Sequence, residues 1–249
     1  MKTKVLIIAM LVLSPILQAF QNDEKLSFDI KYGFITAGHA SLELHETTYN
    51  GRPVWEISSN ASTNSFFDNY YKVRDKINSI WDKERHVSYV FSKNLHEGKY
   101  KQKRTHTYYP NAGYTIYAKY SFKEKKFYEE KFTIPKNTQD IFSAFYYTRQ
   151  HDLNVGDTLQ ISVTTDGKSY NALVCVLQRE KIKTIFGEID CLKIQPDLIG
   201  ESIFKQSGNI YIWLTDDDEK IPVLLESKVI FGSFKAVLVK AENVKLQTK

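Results

Sequence analysis

The sequence of 249 residues has few of the residue patterns that usually mark an active site. Its six histidines are scattered, without a His-x-x-x-His pair or a neighbouring cysteine, so no zinc-binding spacing is present. There is no glycine-rich phosphate loop, and Ser143 lies in Phe-Ser-Ala-Phe rather than in the Gly-x-Ser-x-Gly turn of a hydrolase. We therefore predict no catalytic residue, no cofactor and no metal ligand.

A strong excess of charge is also missing. Lysine and arginine total 34 and aspartate and glutamate total 29, which gives a net charge of +5. Lys2 and Lys4 supply two of these positive charges, and both lie in the N-terminal segment described next. Such a mild excess does not favour a protein that specialises in nucleic acid or another polyanion.

The N-terminus has the features of a secretory signal peptide. Lys2 and Lys4 precede an apolar run over residues 5–13, and a Ser14-Pro15 break leads to Ala19. We expect residues 1–19 to be removed on export, leaving residues 20–249 as one β-rich domain that is soluble in the periplasm. No cysteine follows the apolar run, so no lipid attachment is expected. An uncleaved membrane anchor is the alternative, because Leu17 is large for a cleavage site.

Only two cysteines are present, Cys175 and Cys191, and both lie in apolar alternating segments. An exported chain with one pair of cysteines can form one disulfide. The alternative is two small buried residues on neighbouring strands, because free cysteine packs well in a core. Sequence spacing alone does not decide between these two possibilities.

One segment, at about residues 138–150, has the periodicity of a helix. Ile141, Phe142, Phe145, Tyr146 and Arg149 recur at intervals of three and four, which places the apolar members on one face. Asn137 or Thr138 can cap its start. Asp140 and Arg149 lie near the ends where their charges suit the helix dipole. We expect this helix to pack on a sheet as a lid.

The rest of the chain alternates between apolar and polar residues with a period of two, which is typical of half-buried strands. Asn50-Gly51 and Asp166-Gly167 are tight hairpin turns. We predict a mainly β fold, a single-domain curved antiparallel sheet that forms an open barrel or a sandwich, with the one principal helix packed on it. Two similar units, around Gly187 and Gly232, predict glycines with positive φ at bends.

Two polar regions allow two interpretations each. Lysines and tyrosines interleave over residues 99–126, which suits an anionic glycan or a lipid headgroup, or simply the solvated face of a sheet. The acidic run Asp216-Asp217-Asp218-Glu219 could attract calcium. Four consecutive acids cannot all point at one ion, so we interpret the run as the solvated tip of a hairpin.

Several motifs occur in the order found in a known family. They are Tyr32–Leu42, Asp140–Arg149, Gly156-Asp157, Lys183–Cys191 and Trp213–Val223. In this order the chain resembles the exported bacterial domain-of-unknown-function family numbered 3108 (DUF3108). The resemblance implies an all-β envelope protein of Gram-negative bacteria with a helical lid. It implies no reaction.

Our leading hypothesis is a non-enzymatic periplasmic protein that binds a hydrophobic or amphipathic envelope molecule, a lipid or a glycan, between sheet and helix. The aromatic content of 14% supports this hypothesis, because ligand pockets are lined mainly by apolar and aromatic side chains. The candidate ligand-binding residues are Phe142, Phe145, Tyr146 and Arg149. A structural or assembly factor that binds an envelope protein through an exposed strand edge is the alternative. An envelope hydrolase is a third.

Overall fold

The computed structural model describes residues 20–199, 209–228 and 232–246. The predicted signal peptide lies outside the described residues. Strands dominate the described part, in the order β1 (Lys25–Tyr32), β2 (Ile35–Tyr49), β3 (Arg52–Thr63), β4 (Arg74–Asp82), β5 (Ser88–Glu97), β6 (Tyr100–Tyr109), β7 (Tyr114–Ser121), β8 (Lys126–Thr133), β9 (Thr158–Thr165), β10 (Lys168–Thr184), β11 (Gly187–Ile199), β12 (Ile210–Thr215), β13 (Pro222–Lys228) and β14 (Ser233–Glu242).

Two α-helices interrupt the strands: α1 (Ser65–Asp68), between β3 and β4, and α2 (Ile141–Arg149), between β8 and β9. A single 3-10 turn at Pro110–Ala112 joins β6 to β7. The predicted principal helix is confirmed as α2. Its cap is Asp140 rather than Asn137 or Thr138, because only the Asp140 carboxylate accepts the first free backbone N–H groups.

All fourteen described strands form one antiparallel sheet, in the order β8-β7-β6-β5-β4-β3-β2-β1-β14-β13-β12-β11-β10-β9. The chain therefore makes two meanders, β1 to β8 and β9 to β14, which meet where β1 pairs with β14. Helix α2 connects the two outermost strands, β8 and β9, and contacts β4 and β9. The predicted curved antiparallel sheet with one packed helix is confirmed.

Tight turns link neighbouring strands as the sequence predicts. Asn50 and Gly51 both have positive φ, at 49° and 76°, which matches the twist that a two-residue hairpin needs. Gly187 and Gly232 also have positive φ, at 96° and 84°, so the prediction for these two glycines is confirmed. A side chain at either position would have to adopt a conformation that L-residues disfavour.

The tip of the β9–β10 hairpin packs against β5 and β6, which bends the two meanders towards each other. Asp166 in this tip accepts hydrogen bonds from Lys93 (2.6 Å) and Arg104 (2.9 Å). The backbone N–H of Gly167 donates to Nε2 of His106 at 3.2 Å. The Tyr108 hydroxyl donates to the Thr164 carbonyl at 2.6 Å. The curvature is thus fixed by polar contacts between strands that are distant along the sheet.

The possible disulfide between Cys175 and Cys191 is absent, and both residues are free cysteines. They lie on the neighbouring strands β10 and β11, but Cys175 is opposite Gln195 whereas Cys191 is opposite Glu180. This offset along the ladder places them too far apart for a disulfide. Burial raises the pKa of the Cys191 thiol to about 12, as expected for a packed core residue. The two cysteines are thus unbonded on neighbouring strands, as in the alternative, but only Cys191 is buried, whereas Cys175 is half-buried.

Candidate functional site

The N-terminus of α2 is anchored in the curved sheet by a fully buried carboxylate. Asp140 Oδ1 accepts hydrogen bonds from the backbone N–H groups of Phe142 (2.8 Å) and Ser143 (3.0 Å). Its Oδ2 accepts from the hydroxyls of Ser79 on β4 and Ser88 on β5, both at 2.7 Å. Burial raises the pKa of Asp140, and these hydrogen bonds oppose that rise by stabilising the ionised form.

The residue before this cap ties α2 to the other meander. Backbone N–H and C=O of Gln139 pair with Ser162 and Thr164 on β9, both at 2.8 Å, in a short parallel bridge. The Gln139 side chain donates to the carbonyl of His86 in the β4–β5 turn. Gln139 and Asp140 together connect β9 to β4 and β5, so the start of the helix joins both sides of the sheet.

The C-terminus of α2 is held by a buried ion pair with a residue far away in the sequence. Arg149 donates to both carboxylate oxygens of Glu24, which immediately precedes β1, at 2.7 Å each. Both side chains are fully buried. Burial alone lowers the pKa of Arg149, but attraction to Glu24 and their hydrogen bonds outweigh it and leave that pKa raised.

The turn between β12 and β13 completes the environment of Arg149. The carbonyl oxygen of Glu219 accepts from Nε of Arg149 at 3.2 Å and from a terminal nitrogen at 3.0 Å. Asp217 folds the turn by accepting from the Thr215 hydroxyl and from the backbone N–H groups of Glu219 and Lys220. The prediction of a solvated tip is wrong here, because Asp217, Glu219 and Lys220 are buried.

Aromatic rings surround the buried ion pair. Phe20 lies edge-on against Tyr146 (5.1 Å between ring centroids) and against Trp55 (5.6 Å). The Arg149 guanidinium is 4.9 Å from the Tyr146 ring centroid, and the Tyr146 hydroxyl donates to Glu24 at 3.0 Å. Burial and the nearby Glu24 carboxylate hold the pKa of Tyr146 well above its usual value. Both charged side chains of the pair therefore have hydrogen-bond partners, as buried charges require.

The four predicted ligand-binding residues divide into two groups. Tyr146 and Arg149 have no exposed surface, and the contacts above hold them in the core. Phe142 and Phe145 are half-buried and lie among the inner side chains of the sheet. Phe142 also contacts the ring of Phe91 on β5, at 6.1 Å between centroids. Only these two of the four offer accessible apolar surface.

We define the inner face of the sheet as the face that Ser79 and Ser88 present to α2. Burial of its side chains decreases along the strands with distance from the helix. Near the helix its residues are buried, for example Trp55 and Ile57 on β3 and Leu44 on β2. Farther from the helix, inner residues on these and other strands are only half-buried. The apolar members form what we call the open inner surface: Ile30, Leu42, Ile77, Leu95, Ile210 and Leu225. Apolar surface is thus left partly accessible on the concave side.

Sequence reasoning missed Phe20, Glu24 and Glu219 as partners of the helix. Glu24 lies in the polar segment Gln21-Asn22-Asp23-Glu24, which has no strand or helix periodicity. One signal was available: Arg149 falls on the apolar stripe of α2, where a charged residue needs a buried partner. For metal binding, residues 20–199, 209–228 and 232–246 contain no group of three or more His, Cys, Asp or Glu placed to hold an ion.

The fold and the ion-paired helix define a class: barrel-like β proteins whose curved sheet is occupied at one end by a helix. The sequence profile of a family described as "Protein of unknown function (DUF3108)" matches residues 27–239. The chain belongs to the DUF3108 family. A search among curated proteins found no match.

Solved structures resemble the chain in fold. One is the crystal structure of a beta-barrel-like protein of the domain of unknown function DUF1849 from Brucella abortus. It has a TM-score of 0.61 and 11% identity over 91% of this chain and 99% of that one. A second, from Bacteroides fragilis, is described as an exported protein with a YmcC-like fold. It has 11% identity over 90% and 97% of the two chains, and its TM-score of 0.36 is too low to support an argument.

No helix in the described part of the chain is long and apolar enough to cross a membrane.

Proposed function

We propose that this protein is an exported, non-enzymatic protein of the bacterial periplasm that binds a hydrophobic or amphipathic envelope molecule on its open inner surface. The observation that supports this most is the gradient of burial on the inner face. Helix α2 covers one end, while six apolar side chains on six different strands stay half-buried beyond it. Ligand sites are typically concave and lined by such groups, with few polar contacts.

The polar groups around α2 are less suited to catalysis. Ser88 and Ser143 exchange a hydrogen bond of 2.7 Å and both contact Asp140, which superficially resembles a nucleophile with its partners. All three side chains are fully buried, and their hydrogen bonds satisfy the helix N-terminus. A substrate has no route to a nucleophile held in this way, which is why we favour binding over hydrolysis.

Native mass spectrometry of the protein purified from envelope extracts tests the proposal by looking for a retained lipid or glycolipid. Binding of N-phenyl-1-naphthylamine, an apolar fluorescent probe, supplies an independent readout. Ile77→Trp and Leu225→Trp enlarge two half-buried residues of the open inner surface, so we expect each to weaken probe binding. Val239→Trp is the matched control, because Val239 is an exposed residue on the outer face of β14. Equal binding by all three variants would refute the site.

A second function is favoured by a separate observation. Strand β8 forms one edge of the sheet, and seven of its eight residues are exposed, including Phe127 and Tyr128. An exposed edge of this kind can accept a strand from a partner protein. A photoreactive residue in place of Tyr128 should then crosslink to an envelope protein in cells, whereas one in place of Val239 should not.

A further inference from the structure

The exposed large apolar side chains are concentrated at the end of the sheet opposite α2. Four connections that follow one another along the sheet lie there: the β1–β2 turn, the β3–β4 link with α1, the β5–β6 turn and the β7–β8 turn. We call this the aromatic end. Phe34 is 95% exposed, Tyr70 75% and Phe66 63%. Other exposed members at or next to these connections are Tyr32, Ile35, Tyr71, Tyr100, Phe122, Phe127 and Tyr128.

The helix end is different. Among the residues that the structure describes, the large apolar side chains exposed at that end are Tyr109, Ile141, Val155, Leu177 and Ile185. Scattered exposed apolar residues are normal on any protein surface, whereas a concentration of them marks an interaction surface. The asymmetry between the two ends therefore calls for a partner at the aromatic end.

The aromatic end is built as a fixed structure. The Asn64 side chain accepts from the N–H of Phe67 to cap α1, and it donates to the Thr36 carbonyl of β2 at 2.8 Å. The backbone N–H of Gly98 donates to the Lys72 carbonyl at 2.8 Å, and the Tyr71 ring covers Gly98 so closely that a side chain there would collide with it. These contacts join three of the four connections, so the backbone that carries most of the exposed rings is held in place.

Positive charge accompanies the rings. Lys72, Lys99, Lys123 and Lys125 are exposed at the same connections. The acids beside them have basic partners: Asp68 pairs with Arg74 (2.5 Å), and Glu124 pairs with Lys126 (3.1 Å). Glu97 is half-buried, and burial raises its pKa, with a smaller contribution from repulsion by Asp75. The aromatic end therefore has an excess of exposed cations.

We infer that the aromatic end binds the surface of a lipid bilayer that contains anionic phospholipid. Phenylalanine and tyrosine side chains suit the boundary between headgroups and acyl chains, and nearby lysines are attracted to anionic headgroups. Rings spread over four projecting tips can each enter a fluid surface. A protein partner would instead need to match their uneven relief. Docking in this way also turns the open inner surface towards the membrane, although the inference does not require that surface to hold a ligand.

Vesicle flotation tests the inference directly. The full chain should float with phosphatidylglycerol-containing vesicles and much less with pure phosphatidylcholine vesicles. Phe34→Ser/Phe66→Ser/Tyr70→Ser should weaken the binding by at least about tenfold, because apolar burial at the interface is lost. The matched control is Tyr109→Ser/Val155→Ser/Ile185→Ser at the helix end, which should bind like the unchanged protein. Residues 1–19 are common to every variant, so they cannot cause a difference between the two.

Charge reversal provides the second arm. Lys72→Glu/Lys123→Glu/Lys125→Glu should abolish the preference for anionic vesicles, and added salt should reproduce that loss in the unchanged protein. Lys136→Glu/Lys183→Glu/Lys240→Glu carries the same change in net charge on exposed lysines outside the aromatic end and should keep the preference. Thermal unfolding of each variant verifies that it is folded.

Three results would overturn the inference: no flotation of the unchanged protein, equal loss in the test and control variants, or self-association that the aromatic triple variant alone abolishes. The last would identify a second copy of the chain as the partner. Binding of N-phenyl-1-naphthylamine without vesicles should be unchanged in the aromatic triple variant. A failure of the proposed ligand site and a failure of membrane docking are therefore separable.

Discussion

The two ends of the curved sheet use the same kinds of residue in opposite ways. At the helix end an arginine–carboxylate pair, Arg149 and Glu24, is fully buried among the rings of Phe20 and Tyr146. At the aromatic end another such pair, Arg74 and Asp68, is partly exposed, and the rings point outwards. Burial decides what each pair and each ring contributes. The first end is built for stability, and the second exposes surface at little cost to stability.

The largest expected effect is at the buried pair. Arg149→Met leaves the Glu24 carboxylate buried without its partner, so we expect a loss of about 3–5 kcal/mol in the free energy of unfolding. Chemical denaturation measures this. The double variant Glu24→Leu/Arg149→Met removes both charges and should recover much of the loss. A double variant no more stable than Arg149→Met would show that the charge is not the cause.

Arg74→Met is the matched comparison at the other end. Asp68 stays in contact with water when Arg74 is removed, and solvent screens the pair, so the loss should be far smaller than for Arg149→Met. Similar losses for the two variants would contradict the contrast drawn between the ends. If Arg149 interacted only with the helix dipole, its replacement would cost much less stability. Its fully buried pair with Glu24 predicts the larger loss.

A second effect depends on pH and arises where the β9–β10 tip meets β6. Burial lowers the pKa of His106 to about 4, with Lys93 and Arg104 adding to the shift and Asp166 opposing it. The unfolded chain binds this proton near pH 6.5 and the folded chain near pH 4, so stability is full above pH 6.5 and falls as the pH drops through that window. The total is on the order of 3 kcal/mol.

Denaturation at several pH values checks this prediction. His106→Phe keeps a ring against Tyr117, which lies 4.5 Å from the His106 ring centroid, and removes the titrating group. The fall in stability between pH 6.5 and 4 should be smaller in this variant than in the unchanged protein. Parallel curves for the two proteins would assign the pH dependence to other groups.

A smaller effect is expected for Tyr146→Phe. This change keeps the ring that packs on Phe20 and removes the hydroxyl that donates to Glu24, a hydrogen bond to a charged group worth about 1.5–3 kcal/mol. Phe145 is only half-buried, whereas Tyr146 has no exposed surface. Tyr146 should therefore be the more sensitive position when each residue is changed to alanine.

The smallest effect on stability is expected at the aromatic end. Phe34→Ser and Tyr70→Ser alter surface positions, so each should change the free energy of unfolding by less than about 0.5 kcal/mol. Differential scanning calorimetry without vesicles checks this small effect on stability. The same measurement with anionic vesicles checks the membrane binding inferred for the aromatic end. A marked loss without vesicles would mean that these rings support the fold rather than a surface interaction.

Local sequence patterns were sufficient to predict most of the fold. Alternation with period two predicted the strands, spacing of three and four predicted α2, and the pair Asn50-Gly51 predicted its hairpin. Each of these signals depends on residues that are close in sequence. The positive φ of Gly187 and Gly232 was predictable for the same reason, since only local backbone geometry is involved.

The contacts of the helix end could not be predicted in this way. Glu24 and Arg149 are 125 positions apart, and no periodicity links them. The acidic run before Lys220 has the composition of a solvated turn, yet Asp217 uses its carboxylate on the turn's own backbone and Glu219 presents its carbonyl to Arg149. Composition shows which residues are charged but cannot show where a distant counter-charge lies.

Pairing of the first strand with the last has a consequence for how the chain is made. Lys25 is opposite Glu242 and Tyr32 is opposite Phe234, so the two meanders share no sheet until β14 has been synthesised. Closing a loop of this length is entropically costly, and contacts between distant parts of a chain slow folding. During synthesis β1 can pair with β2, but the edge of β1 that pairs with β14 stays unpaired while β2 to β13 emerge. The nascent protein therefore has a period of vulnerability to misassociation that ends only with its final strand.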